Sequence, residues 1–266
     1  IHRQARQAWA EALSAIRVEG GSADDRVIFN TALYHTMIDP RSFSDVDGRY
    51  PGADGMVHAT GNFTYRTIFS GWDVFRSQFP LQTLINPGMV NDEINSLIEM
   101  ADLSGREYFP RWEIVNSYSG CMIGNPAVSV LADAYVKGIR GFDAEKAFTY
   151  ALNSVNRFGN GERGWVPDRI SETLEYAYSD WCLARLAAAL GKEETARDYL
   201  TRSEAWRNLW DPEVRWMRAR AEDGSRLPWK GRLEHGQGCV ESNPFQQGWF
   251  VPHDVPGLIE LMGRDS

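Results

Sequence analysis

A carboxyl group set among proline and aromatic rings is the feature of this sequence best suited to moving a proton. Glu241 stands in Gly238-Cys239-Val240-Glu241-Ser242-Asn243-Pro244-Phe245-Gln246-Gln247-Gly248-Trp249. Its aromatic neighbours can strip water from it, and desolvation raises a carboxyl pKa toward the range a general acid needs. In the same stretch Asn243, Gln246 and Gln247 offer amide oxygens to a hard cation and amide donors to hydroxyls. A polar loop that satisfies its own backbone would use the same residues. A second stretch, Gly71-Trp72-Asp73-Val74-Phe75-Arg76, sets an indole beside a carboxylate. The ring can stack on the apolar face of a sugar while the carboxylate takes hydroxyl hydrogen bonds. Equally, Asp73 could cap a helix and Trp72 be buried.

Three further clusters point to structure rather than chemistry. Ser44-Asp45-Val46-Asp47-Gly48-Arg49-Tyr50 echoes the opening of an EF-hand loop but lacks its later ligands and closing glutamate, so it reads as a carboxylate-rich turn. In Pro252-His253-Asp254-Val255, Asp254 is a natural helix N-cap and His253 a packing residue. Glu172, Tyr176 and Asp180 share one helix face at i, i+4 and i+8, where a solvated or mouth-facing structural role is expected. No nucleotide-binding glycine pattern, nucleophile elbow or His-Glu-x-x-His is present.

The elements that must position these residues are helical. Trp9, Leu13 and Ile16 fall on one face of a helix over 6–17. Ser22 and Asp25 form a capping-box start for a helix to about 38. Asp73 is placed to cap a helix carrying Val74, Phe75, Phe79 and Leu84, with a kink at Pro80. Residues 88–103 align Ile94, Leu97, Ile98 and Ala101, and Gly105 stops them. Further helices are expected over 127–137, from Asp143 to about 155, over 171–190, over 193–209 and from 255 to 262. A short hairpin with Val214, Trp216 and Met217 is the best strand candidate. Long connections at about 39–70, 106–121, 157–169 and 211–248 alternate with short ones, and long loops in a compact domain are usually functional. That rhythm suggests an all-α toroid of helical hairpins, with the long loops gathered at one mouth.

Composition narrows the chemistry. The 266 residues carry a net charge of −8, which disfavours nucleic acid, whose phosphates need a basic stripe. Ten Trp, ten Tyr and twelve Phe supply both a core and rings for sugar stacking. Cys121, Cys182 and Cys239 are too few and too widely spaced for a disulfide framework or a zinc site, though one bridge is possible. No run approaches the roughly 20 apolar residues of a membrane span. The chain opens at Ile1 inside a helical segment, so an excised piece of a longer protein is expected, and the lack of a signal peptide says little about export.

Several blocks taken together resemble glycoside hydrolase family 92, exo-acting α-mannosidases. They are Leu33-Tyr34-His35-Thr36 with Asp45-Val46-Asp47-Gly48-Arg49-Tyr50, then Trp72-Asp73-Val74-Phe75-Arg76, then Met122-Ile123-Gly124 with Ala132-Asp133-Ala134-Tyr135-Val136-Lys137-Gly138. Thr173-Leu174-Glu175-Tyr176-Ala177-Tyr178-Ser179-Asp180-Trp181 and Trp249-Phe250-Val251-Pro252-His253-Asp254 follow in order. The resemblance implies an (α/α)6 barrel, incomplete at its C-terminal end here, over residues 21–266. Residues 1–20 would be the linker helix from an absent N-terminal β-sandwich. It implies inverting, calcium-assisted hydrolysis of terminal α-linked mannose from glycans, N-glycans included, by a periplasmic or extracellular protein. By the same resemblance Glu241 is the general acid, Trp72 and Asp73 line the mannose subsite, and Gln246 belongs to the calcium-binding region. The family's base lies in a stretch resembling Gly-Asn-Asp-Asp-Cys-Gly, and a further block resembles Gly-Asn-Glu-Pro-Ser-His-His; neither occurs here. Little hydrolysis is therefore expected of this chain alone. A non-catalytic glycan-binding helical domain, or another toroid glycosidase or lyase, are the rival readings.

Overall fold

The computed structural model describes residues 1–263. Helices dominate. α1 (His2–Leu13) and α2 (Ala23–His35) form a peripheral pair. Four short strands, β1 (Arg41–Ser42), β2 (Arg49–Pro51), β3 (Val57–Ala59) and β4 (Arg66–Thr67), fold the next loop onto itself. Then come α3 (Gly71–Val74), α4 (Gln78–Ile85) and α5 (Pro87–Leu103). The ribbon β5 (Glu113–Ile114) and β6 (Ser117–Tyr118) leads to α6 (Pro126–Val136), α7 (Ala144–Arg157), α8 (Ile170–Ala189) and α9 (Glu193–Arg202). A 3-10 turn, Ser203–Leu209, opens the ribbon β7 (Trp210–Asp211) and β8 (Trp216–Met217). α10 (Pro244–Gln247) and α11 (Val255–Met262) close the described chain. The strands pair only in antiparallel twos, β1 with β4, β2 with β3, β5 with β6 and β7 with β8. The fold is therefore helix-rich, with ribbons confined to the long loops.

Local signals set most of these boundaries. Ser22 and Asp25 exchange side-chain-to-backbone hydrogen bonds in a full capping box, relieving the free N–H groups of the first turn. Asp143 accepts from the Lys146 amide at 3.0 Å, and Asp254 from the Gly257 amide at 2.9 Å. Helix α1 lies four residues earlier than its periodicity suggests and buries no side chain. Trp9 instead rests its ring 4.5 Å from Tyr34 of α2.

Three expectations need correction. Asp73 does not cap a helix. Ser70 is the N-cap of the one-turn helix α3, and Asp73 lies inside that turn, accepting the Ser70 hydroxyl. The chain then breaks, and α4 restarts at Gln78. Pro80 falls in the first turn of α4, where a missing N–H costs nothing, and so starts a helix rather than kinking one. The expected helix over 193–209 is likewise split into α9 and the 3-10 turn.

Helix α8 is the axis of the packing. It touches α6, α7, α9, α10 and the 3-10 turn, and most of its residues are buried. Small residues on several of its sides (Ser171, Ala177, Ser179, Ala184, Ala187) admit those neighbours closely, so the helix is buried nearly all round rather than on one stripe. Two cores meet along it. The larger runs through α3 to α9 around Phe79, Ile94, Leu131 and Leu183. The smaller packs Ile170, Leu174 and Ala177 against Trp206, Trp216 and Val251. Phe250 touches both. All three cysteines are free. Among the described residues no helix is long and apolar enough to cross a membrane.

Candidate active site

The N-terminal half of α8 gathers the chemically promising stretches. Glu175, on its second turn, has a side chain only 2% exposed. Its Oε1 accepts from Trp72 Nε1 and from Arg76 Nη2, each at 2.7 Å. Burial pushes the Glu175 carboxyl above its usual range, and the Arg76 guanidinium and Trp72 N–H pull the other way. Arg76 is held by rings as well: its guanidinium lies 4.6 Å from the Phe75 ring centre, 4.7 Å from Phe250 and 5.2 Å from Trp72. Gly124 closes the other side. Its φ is +78°, and a Cβ there would stand 3.1 Å from Glu175 Oε2. The next residue, Asn125, donates its amide to Ser179 Oγ at 3.3 Å. Stretches at 72–76, 122–125, 173–181 and 249–254 thus converge on one buried carboxylate.

The loop that carries Glu241 is stitched to the same helix. The Gly238 carbonyl accepts from the amides of Ile170 and Ser171, at 2.8 and 3.1 Å, satisfying free N–H groups at the start of α8. A Cβ on Gly238 would lie 2.5 Å from the Asp168 carbonyl, so only glycine permits this approach. Val240 N then donates to Ser171 Oγ at 2.9 Å. Ser171 and Glu175 are one turn apart, about 6 Å along the axis. The Glu241 loop and Trp72 are therefore joined through α8. No hydrogen bond links Glu241 itself to Trp72 or Asp73 among the described residues.

Glu241 is exposed. The expectation that its aromatic neighbours would desolvate it is not met, because Phe245 and Trp249 turn instead onto Trp216, with ring centres 5.9 and 4.9 Å away. The backbone of Glu241 is unusual: its φ is +54°, in the left-handed region. For a residue with a Cβ that conformation costs roughly 1–2 kcal/mol and persists only where the surroundings impose it. Here Gly238 and Val240 fix one flank, and the Asn243–Gln246 capping box of α10 fixes the other.

Gln246 is exposed and is the N3 partner in that capping box, its Oε1 accepting from Asn243 N at 3.2 Å. A calcium ion takes six to eight oxygen ligands. Among the described residues no group of three or more His, Cys, Asp or Glu is placed to hold a metal. The Asp45–Arg49 segment is a turn, with Gly48 N donating to the Asp45 carbonyl at 2.9 Å and Asp47 paired with Arg49.

Spacing singled out Glu172, Asp180 and His253 but not Glu175. Glu172 faces the same loop, its Oε2 buried without a hydrogen-bond partner among the described residues; burial raises its carboxyl, and Arg169 and Arg111 lower it. Asp180 is not solvated: it is 1% exposed, pushed up to about 7 by burial, and paired with Arg202 at 3.2 Å. His253 packs as expected, 6.0 Å from the Tyr178 ring, with Nε2 at 3.1 Å from the Ser203 carbonyl. The i, i+3 relation of Glu172 to Glu175 was the available signal for a second carboxyl on that side of α8.

Comparison with known proteins adds the following. A family model described as the glycosyl hydrolase family 92 catalytic domain matches residues 1–266. An uncharacterized secreted glycosidase of Arthroderma benhamiae is 23% identical over all of this chain and 36% of its own length. A family GH92 α-mannosidase from Bacteroides thetaiotaomicron, solved in complex with mannoimidazole, superimposes with a TM-score of 0.90 at 32% identity, covering 96% of this chain and 36% of that one. A family GH92 inverting mannosidase from the same organism gives 0.89 at 34%, covering 98% and 38%. This chain thus spans little more than a third of the length of each of these relatives.

Proposed function

The chain belongs to glycosyl hydrolase family 92, and from that premise we propose that the protein carrying it removes terminal α-linked mannose from glycans, with inversion at the anomeric carbon. Glu241 is the general acid that protonates the departing glycosidic oxygen. Trp72 and Asp73 line the mannose subsite, the indole against the ring and the carboxylate on its hydroxyls. Glu175 and Arg76 position Trp72. The helices form part of an (α/α)6 barrel, residues 1–20 lead in from a β-sandwich, and the protein works in the periplasm or outside the cell.

One observation supports this reading above the others. The loop bearing Glu241 and the indole of Trp72 are fastened one turn apart on a single buried helix, through Ser171 and Glu175. The acid is also held at φ +54°, a strained geometry of the kind that gathers at working sites. Inverting glycosidases keep acid and base roughly 6.5–9.5 Å apart, with a water between base and sugar. An exposed acid on a fixed loop leaves that space open. The base is proposed to lie outside this chain, which is expected to hydrolyse little by itself.

Calcium remains part of the proposal, with Gln246 as one oxygen donor. Water, mannose hydroxyls or residues outside this chain would supply the remaining ligands. A bound divalent cation supplies orientation and polarisation of sugar oxygens.

The test is product stereochemistry. Proton NMR at early times, on a mannoside cleaved by a protein that carries this chain, is expected to show β-mannose first. α-Mannose as first product would refute inversion. Mannose binding without any cleavage would favour the glycan-binding alternative.

A further inference from the structure

The Glu241 loop builds a second feature that proton transfer does not use. Phe245 and Trp249 hold their rings outward, 41% and 48% exposed. Both lean on Trp216, which is 1% exposed. Phe245 lies nearly parallel to Trp216, at 5.9 Å and 20°. Trp249 stands across both rings, at 80° to Trp216 and 81° to Phe245. The two exposed rings therefore form a corner with rigid backing. Trp216 is itself pinned, its Nε1 donating to the Pro244 carbonyl at 2.6 Å. Gly248 makes the fit possible: a Cβ there would stand 2.6 Å from Trp216 Nε1 and 2.7 Å from the Pro244 carbonyl.

The corner opens into a cavity of about 380 Å³ lined by Arg215, Trp216, Arg232, Phe245, Trp249 and Met262. That is near the lower end of ligand-pocket sizes, roughly 300–1,000 Å³. The Arg232 guanidinium sits 4.6 Å from the Trp216 ring centre, and Arg215 donates to the Met262 carbonyl. Guanidinium groups only donate. Their charge opposes the ammonium ligands that aromatic cages otherwise suit. What fits is a ligand with a flat apolar face for the rings and oxygen acceptors around its edge, which describes a pyranose.

We infer that this corner is a subsite for a second sugar ring, on the leaving-group side of the bond that Glu241 protonates. The inference rests on the mannosidase reading for the identity of the glycan, though not for the stacking itself. Position supports it. Phe245 follows Glu241 by four residues, so the two Cα atoms are at most about 14 Å apart, within reach of a disaccharide. The whole segment is tied down at Gly238, Val240 and Pro244, so acid and corner keep a constant relation.

The test compares Trp249→Ala, Trp249→Phe and the unaltered protein on two substrates: α-mannosyl fluoride, whose leaving group has no ring, and an α-linked mannobiose. The ratio of kcat/KM on the disaccharide to that on the fluoride is expected to fall at least about tenfold in Trp249→Ala and to recover largely in Trp249→Phe. Equal loss on both substrates, or no loss on either, would overturn the subsite. If the unaltered protein cleaves neither, the mannosidase reading fails separately. Chemical-shift titration of this chain with mannobiose then decides: saturable binding lost in Trp249→Ala upholds the subsite, and absence of binding removes it. Self-association of the unaltered chain that Trp249→Ala abolishes, seen by sedimentation and without mannobiose binding, would assign the corner to a protein contact and overturn the inference.

Discussion

Replacing Glu175 with alanine should unfasten the centre of the candidate site, and the cost can be worked from its contacts. The carboxylate is almost fully buried, and its Oε1 serves two donors at 2.7 Å. Removing it leaves the half-buried Trp72 N–H without an acceptor, which costs about 1–3 kcal/mol. The Arg76 side chain is 35% exposed, so water replaces much of what its guanidinium loses. A broken buried pair costs about 3–5 kcal/mol, and that exposure discounts the total to about 2–4 kcal/mol. Glu175→Gln keeps an acceptor for Trp72 and sheds the buried charge, so about 1 kcal/mol or less is expected. Equilibrium urea unfolding of this chain at pH 7, followed by far-UV circular dichroism, measures both. The sign of the pH dependence is a second check. The folded-state pKa of Glu175 is raised, so its contribution is fullest below the unfolded carboxylate range and fades as pH climbs through the folded value. Glu175→Gln should therefore compare better with the unaltered chain as pH rises. Alanine within 0.5 kcal/mol of the unaltered chain (on the order of ordinary surface substitutions), or glutamine as damaging as alanine, would refute the reasoning.

Other outcomes follow from neighbouring geometry. Glu93 is 1% exposed, with Oε2 unpartnered among the described residues, and burial together with the Glu113 carboxyl pushes it up to about 8. Its contribution to stability should be lost between the unfolded carboxylate pKa and about pH 8, and Glu93→Gln should gain steadily on the unaltered chain over that interval and exceed it at pH 9, read from urea midpoints. Gly124→Ala meets both a positive φ and the Glu175 carboxylate, and should cost roughly 1–2 kcal/mol in the same assay. Glu241→Gly should relieve the left-handed strain while adding chain entropy of about 0.5–1 kcal/mol, leaving the fold at least as stable as before. A clear loss of stability in that variant would show that the carboxyl holds the loop rather than the loop holding the carboxyl.

Much of the helix layout was legible because its signals are local. Ser22 with Asp25, Asp143 and Asp254 are caps that act within one turn, and Ile94, Leu97, Ile98 and Ala101 repeat at helical spacing. The break between α3 and α4 was not legible. It depends on Arg76 reaching a partner 99 residues away, and on Pro80 preferring a first turn to an interior. The same limit applies to the site. Trp72, Asp73, Glu241 and Gln246 stood out by residue type and company, but Glu175 looks like any helical glutamate until Trp72 and Arg76 close on it. The expected shielding of Glu241 failed for a related reason: Phe245 and Trp249 are its neighbours in sequence, and their rings belong to Trp216.

The role of Glu241 as proton donor is tested most directly by leaving-group dependence, in a protein that carries this chain and cleaves α-mannosides. With Glu241→Gln, kcat/KM should fall about 100- to 10,000-fold on an α-linked mannobiose and stay near the unaltered value on a dinitrophenyl α-mannoside, whose leaving group departs without a proton. A loss of equal size on both substrates, or no loss on the disaccharide, would contradict that assignment.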